Sequence, residues 1–173
     1  MTIYLDMDGV LADFFKGLED YYGVEHWKQI PDIENSIRSL KNTDFFYQLL
    51  PFETTTRLVN YVLSVGDDWG ICSSPLRDDF ANSSYWKRRW LEDYNITPAI
   101  SKMIFTNSKH KFATNKIDGT PNILIDDKPS NIAEWELHGG IGIRYQANQD
   151  DFEEYLIPAI DQAIDLADKV KFV

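Results

Sequence analysis

Thr2-Ile3-Tyr4-Leu5-Asp6-Met7-Asp8-Gly9-Val10-Leu11-Ala12-Asp13 opens as an apolar, strand-forming run and ends in two carboxylates one residue apart, followed by a glycine that lets the backbone turn sharply. This pattern predicts a strand that delivers acids to a sheet edge. In an open α/β sheet the ligand crevice lies outside the carboxyl ends of the strands, so Asp6 and Asp8 are expected at the mouth of a site. Side chains at i and i+2 share a face in a regular strand, but the turn lets Asp8 swing round and offer its backbone carbonyl instead. Paired acids in that place suit a hard cation. Read alone, the stretch is also compatible with a strand and an ordinary Asp-Gly turn.

A second stretch repeats the design. Asn122-Ile123-Leu124-Ile125-Asp126-Asp127-Lys128-Pro129-Ser130-Asn131 is an apolar strand with two acids at its end, then residues placed to start a helix. Four carboxylates from two strand ends repel one another unless a divalent ion sits among them. Between the two stretches, Trp69–Cys72 reads as a strand leading into Ser73, Ser74 and Pro75, and Lys102–Thr106 as another; Ile141–Tyr145 follows as a fifth. A hydroxyl at a strand end beside exposed backbone amides is suited to hold a phosphate oxygen, and Arg77 lies just beyond, where a guanidinium reaches a phosphate or sugar. Cys72 reads as a small buried hydrophobe, and His110 as an exposed flanking histidine.

Helices fill the intervals. Phe14, Phe15, Leu18, Tyr21 and Tyr22 recur at helical spacing up to a stop at Gly23, and residues 24–60 read as short helices joined by loops. Thr54–Val65 predicts a helix that leads to a turn at Gly66, Asp67 and Asp68. Asp78–Tyr94 predicts a helix with a core stripe of Trp86, Trp90 and Tyr94, and Lys87, Arg88 and Arg89 on a solvated face. Ser130–Leu137 is a further helix. The tail from Asp151 to about Lys171 is an amphipathic helix with apolar Phe152, Tyr155, Leu156, Ile160, Ile164 and Leu166, and with Pro158 as a candidate kink.

Composition bounds the function. The 173 residues fit one domain with room for a small insertion. A net charge of −11 and a single cysteine argue against nucleic-acid binding and against an internal disulfide. With no signal peptide and no run of about 18 apolar residues, a soluble, cytoplasmic protein without a membrane partner is expected.

The ordered set of Asp6 and Asp8, then Ile71-Cys72-Ser73-Ser74-Pro75, a lysine within Thr106–Lys111, and Asp126-Asp127 resembles the four motifs of the haloacid dehalogenase (HAD) superfamily of phosphatases. Gly9–Phe14, the Cys-Ser-Ser-Pro element and the aromatic-basic helix behind it resemble the 5'(3')-deoxyribonucleotidases; the likeness spans roughly residues 2–145. It implies an α/β, Rossmann-like three-layer sandwich with a five-stranded parallel sheet in the order 3-2-1-4-5, which brings the two acidic pairs together. It also implies a core of residues 1–13 and 66–173, with a small helical cap, residues 14–65, inserted after the first strand.

The roles follow from the same resemblance. Asp6 attacks phosphorus and becomes an aspartyl phosphate; Asp8 serves as acid and then base. The required lysine is Lys109 by its spacing after the strand, with Lys111 as the rival. Mg2+ is the implied ion, held by the Asp6 carboxylate, the Asp8 carbonyl and one acid of the second pair; Asp127 is favoured as the direct ligand with Asp126 behind it, an assignment left open. Ser73, Ser74 and Arg77 are candidates for phosphate or sugar, and Phe14 with the Phe45, Phe46 pair for the base. The implied substrate is a small phosphate monoester, a (deoxy)nucleoside monophosphate. The alternatives are a sugar phosphate, a nucleic-acid end, or a non-catalytic binding protein on the same fold; the last would be expected to lose at least one of Asp6, Asp8, Lys109 or the second acidic pair, and all are present.

Overall fold

Five short strands, β1 (Ile3–Leu5), β2 (Trp69–Ser73), β3 (Met103–Phe105), β4 (Ile123–Asp126) and β5 (Ile141–Arg144), pair in parallel in the order β3-β2-β1-β4-β5. They belong to a computed structural model that describes residues 1–66 and 68–170. Asp67 of the expected turn and the Lys171 end of the expected tail helix lie outside the described residues. The strand order is the expected one, and its register matters for chemistry. Leu5 pairs with Ile71 on one side and Ile125 on the other, so the position just after β1 lies level with Cys72 of β2 and Asp126 of β4. The Asp6 amide continues the ladder by donating to the Ile125 carbonyl at 2.9 Å, which sets Asp6 beside Asp126.

Central parallel strands are buried on both faces, so their side chains divide into two cores. Ile3, Leu5, Ile71, Ile123 and Ile125 pack into the larger one with Leu58 and Val62 of α4 (Thr55–Val65), Trp90 and Leu91 of α5 (Phe80–Asp93) and Ile160 of α7 (Ile157–Val170). Tyr4, Cys72 and Leu124 form the smaller one, under Trp135 of α6 (Pro129–Leu137). Trp135 is fully buried, meets the edge of Tyr4 and donates its indole N–H to the Asn122 carbonyl at 3.1 Å. Helices on both faces make the three layers.

Between β1 and β2 the chain runs through α1 (Phe14–Tyr22), a 3-10 turn (Trp27–Gln29), α2 (Ile33–Arg38) and α3 (Phe45–Gln48) before α4. Both ends of α1 follow from its sequence: the Asp13 carboxylate accepts from the Lys16 amide, and Gly23 adopts the left-handed conformation with φ 65°. The two chain passes that join this segment to the sheet pair with each other, since Asp13 N–H donates to the Leu50 carbonyl and Phe52 N–H to the Leu11 carbonyl. Residues 42–49 are tied down to α5, whose Trp90 indole donates to the Leu49 carbonyl at 2.8 Å and whose Asn82 amide donates to the Thr43 carbonyl at 2.9 Å.

Two helices depart from expectation. The tail is not one kinked helix: Phe152–Leu156 forms a π-helical turn, and α7 begins immediately before Pro158. Proline has no N–H for the ladder, so it fits the start of a helix rather than its interior. Ala163 and Ala167 are buried in α7, whereas Tyr155 and Leu166 are exposed. In α5 the buried face is Ser83, Lys87, Trp90 and Leu91, so Lys87 is not on a solvated face, and Tyr94 is exposed. Among the described residues no helix is long and apolar enough to cross a membrane.

Candidate active site

The carboxyl ends of β1, β2 and β4 open into a cleft of about 660 Å³ that Asp6, Asp8, Ser74, Arg77, Lys109 and Asp127 help to line. Asp6 is buried at the end of β1. The Lys109 ammonium, also buried, sits 2.8 Å from Asp6 Oδ1 and 2.6 Å from Asp126 Oδ2; Lys111 is exposed. Asp126 is fully buried with its oxygens spoken for: Oδ1 accepts from the Lys128 amide at 2.8 Å, and Oδ2 from Lys109 and, at 3.0 Å, from the Asn131 side chain. Asp127 has no such set of donors among the described residues and faces the cleft. Ligand oxygens of Asp6, Asp126 and Asp127 all lie within 4.8 Å of one another.

Gly9 makes that closeness possible. It has φ +82°, a conformation costly to any residue with a Cβ, and a Cβ there would fall 2.3 Å from Asp127 Oδ2. The turn after β1 therefore approaches the end of β4 only with glycine in place.

Electrostatics mark the cluster as short of positive charge. Burial first, and then Asp126, push the Asp6 carboxyl up to about 7 against the opposing pull of Lys109. Burial and then the neighbouring Asp6 push Asp127 up to about 8. For Lys109 burial acts to lower the pKa, but Asp6 and Asp126 outweigh it and hold the ammonium above its ordinary value. The carboxylates of Asp6, Asp126 and Asp127 outnumber the one ammonium against them and offer oxygen ligands only, a set that fits a hard divalent cation.

Asp8 has a different partner. Its Oδ2 accepts from the Lys87 ammonium at 2.7 Å, and the same nitrogen donates to Ser73 Oγ at 2.9 Å and to the Ser74 carbonyl at 3.0 Å. Sequence reasoning missed Lys87. The signal was present: Ser83, Lys87, Trp90 and Leu91 stand at i, i+4, i+7 and i+8, and a lysine inside such a stripe must be paired because a lone buried charge is too costly.

Not every candidate comes together. Ser73 is fully buried with its hydroxyl against Lys87, whereas Ser74 and Arg77 line the cleft. Phe14 and Phe46 also line it, stacked with centroids 6.3 Å apart. Phe45 does not: it is buried and lines a separate cavity of about 250 Å³ with Gly17, Tyr21 and Leu49. Adjacent residues on a helix point about 100° apart, so only one of the pair meets the cleft. Cys72 is buried as expected, and burial pushes its thiol up to about 12. His110 is half-buried rather than exposed, with Nδ1 2.9 Å from Glu134 Oε1 and its ring against His138.

No family model matches the chain. It is 30% identical to a Bordetella pertussis protein named "Putative 5'(3')-deoxyribonucleotidase", in an alignment covering 75% of each chain. It is 26% identical to the mitochondrial 5'(3')-deoxyribonucleotidase of Mus musculus, over 75% of this chain and 65% of that one, so it spans just under two thirds of that relative's length. Among solved structures it is similar to a HAD-superfamily hydrolase of subfamily IA from Geobacter sulfurreducens, with TM-score 0.53 and 15% identity over 93% of this chain and 98% of that one. A HAD-superfamily hydrolase from Ehrlichia chaffeensis gives TM-score 0.51 and 13% identity over 94% and 97%. At those identities the structures speak for the fold alone, and the fold is the one expected. Ordered acids at two adjacent strand ends, the sheet order that joins them and the Bordetella relative lead to one assignment: the chain belongs to the 5'(3')-deoxyribonucleotidase family, on the HAD fold.

Proposed function

We propose that this protein hydrolyses phosphate monoesters of (deoxy)nucleosides through a phosphoryl group carried on Asp6. The observation that carries the reading is the setting of Asp6, a buried carboxylate at the central strand end with an ammonium against it and a cleft in front of it. Asp6, the Asp8 carbonyl and Asp127 would hold Mg2+, with Asp126 fixed behind them by Lys109, Asn131 and the Lys128 amide. When bound, the ion neutralises the clustered carboxylates and the phosphoryl oxygens.

The chain's own residues then divide the work. Asp6 attacks phosphorus while the bond to the leaving oxygen breaks, and Asp8 gives that oxygen a proton. Asp8 next takes a proton from water as the water oxygen bonds to phosphorus and the Asp6–phosphorus bond breaks, which frees inorganic phosphate. Lys109 opposes the negative charge of Asp6 and of the phosphoryl oxygens. Ser74 and Arg77 lie in the cleft where a phosphate or sugar would rest. Phe14 and Phe46 offer an aromatic wall for a base, which a small sugar phosphate would leave idle.

The cap of this reading is residues 14–50, shorter than 14–65. The paired passes at Leu11–Asp13 and Leu50–Phe52 make a natural junction, and α4 beyond it packs Leu58 and Val62 into the core beneath the sheet. A phosphate-release screen of the purified protein with Mg2+ over nucleoside monophosphates and sugar phosphates tests the proposal. Highest kcat/KM on deoxynucleoside monophosphates is expected; a preference for a sugar phosphate would reassign the substrate, and no release from any ester would end the reading.

A further inference from the structure

We propose that Lys87 is a positioning residue for the proton transfers of Asp8, fixing which carboxylate oxygen does the work from a socket that Phe46 closes. The inference rests on the phosphatase reading above and adds a residue to it. Lys87 is fully buried in the middle of α5. An ammonium has three N–H donors, and all three are taken, by Asp8 Oδ2, Ser73 Oγ and the Ser74 carbonyl. The Phe46 ring lies over the nitrogen at 4.6 Å. No donor is left over for a substrate, so Lys87 acts through other groups.

Its effect falls on Asp8. Held at Oδ2, the carboxylate cannot exchange its two oxygens by rotating about its Cβ–Cγ bond without breaking the ion pair. The other oxygen, Oδ1, is buried and has no hydrogen-bond partner among the described residues. A buried acceptor without a partner is uncommon in a folded protein, and a catalytic role is one of the few reasons for keeping one. With Oδ2 held by Lys87, Oδ1 is left to pass its proton to the leaving alkoxide and later to accept one from water, which requires the substrate to reach an oxygen that the protein covers. Lys87 also ties this oxygen's placement to the Ser73–Ser74 turn and to the cap, because α5 holds the segment carrying Phe46 through Trp90 and Asn82.

A cycle of Lys87→Met, Asp8→Asn and the double variant tests this, each shown to be folded by thermal melting and assayed on a deoxynucleoside monophosphate and on p-nitrophenyl phosphate. Lys87→Met is expected to lower kcat on the nucleotide on the order of 100-fold, the scale of general acid–base catalysis, with KM little changed and a smaller loss on the aryl ester, whose good leaving group needs no proton. On the Asp8→Asn background the same change should cost less than about threefold, and Lys87→Arg alone should recover part of the loss. If Lys87→Met does not fold, Lys87→Gln takes its place in the cycle. Full additivity with Asp8→Asn, or a rise in KM at constant kcat, would overturn the role. If the wild type is active and the cycle additive, only this inference falls; if the wild type releases no phosphate at all, the phosphatase reading falls with it.

Discussion

At the scale of single residues, the site is a problem of clustered negative charge. Asp6 and Asp127 are raised to about 7 and about 8 from an ordinary value of 3.8, with burial as the leading cause for both. A carboxyl whose folded value lies above its unfolded one stabilises the fold fully below the unfolded value, and that contribution is lost as pH climbs through the folded value. The metal-free protein is therefore expected to lose thermal stability between about pH 4 and pH 8, beyond what its other groups impose. Asp127→Asn removes one of these groups, so in EDTA at pH 8 it should melt above the wild type, while Mg2+ should raise the wild type and leave the variant unmoved. A variant that melts below the wild type in EDTA at pH 8 would refute this account of the cluster. Asp8 invites a separate comparison: Asp8→Asn should cost more on a nucleotide than on p-nitrophenyl phosphate, and equal losses would remove its acid role. These acids were legible in the sequence because each ends an apolar run, where chain direction alone decides their place. Lys87 carried a signal that was passed over, since a stripe of Trp86, Trp90 and Tyr94 turns the buried face about 100° away from it, whereas the face that is buried is Ser83, Lys87, Trp90 and Leu91. Phe45 and Phe46 could not be told apart, because a helix of four residues has too few turns to show a period.

Among elements, the turn after β1 carries the most consequence per residue. Gly9→Ala would have to adopt φ near +82° and move Asp127, so it should cost about 1–2 kcal/mol of stability and most of the divalent-ion affinity. Calorimetric titration of Mg2+ into the variant checks this, and wild-type affinity would show that the close approach does not matter. On the other face of the sheet, Trp135→Ala should cost about 3–5 kcal/mol, since it empties the centre of the smaller core and leaves the Asn122 carbonyl without its indole donor. Chemical denaturation measures that loss directly. The bounds of α1 were readable because a capping aspartate and a left-handed glycine both leave marks in sequence. The π-helical turn before Pro158 was not, for the buried Phe152, Leu156 and Ile160 stand four residues apart, a spacing that an ordinary helix gives as well.

Across the whole molecule, the sheet order gathers Asp6, Asp8, Asp126 and Asp127 from distant segments, and Phe14, Phe15, Ile37 and Phe46 from between β1 and β2 help to line the cleft that Asp6, Asp8 and Asp127 face. This order was legible only through the family resemblance, because parallel pairing leaves no local signature that says which strands are neighbours. That lining gives a test of its own. Phe14→Ala should reduce kcat/KM on a nucleotide roughly tenfold relative to an aryl phosphate, whereas Phe45→Ala, which opens a hole behind the lining, should lower stability and all activities together. An unchanged ratio in a folded Phe14 variant would take the base away from this wall. The central claim, a phosphoryl group carried on Asp6, is reached most directly by acid-quenching the protein during turnover of a nucleotide with radiolabelled phosphate and mapping the labelled peptide. The label is predicted on Asp6, and absent in Asp6→Asn or after removal of divalent ions; label on Ser73, Ser74 or His110, or wild-type turnover by Asp6→Asn, would contradict it.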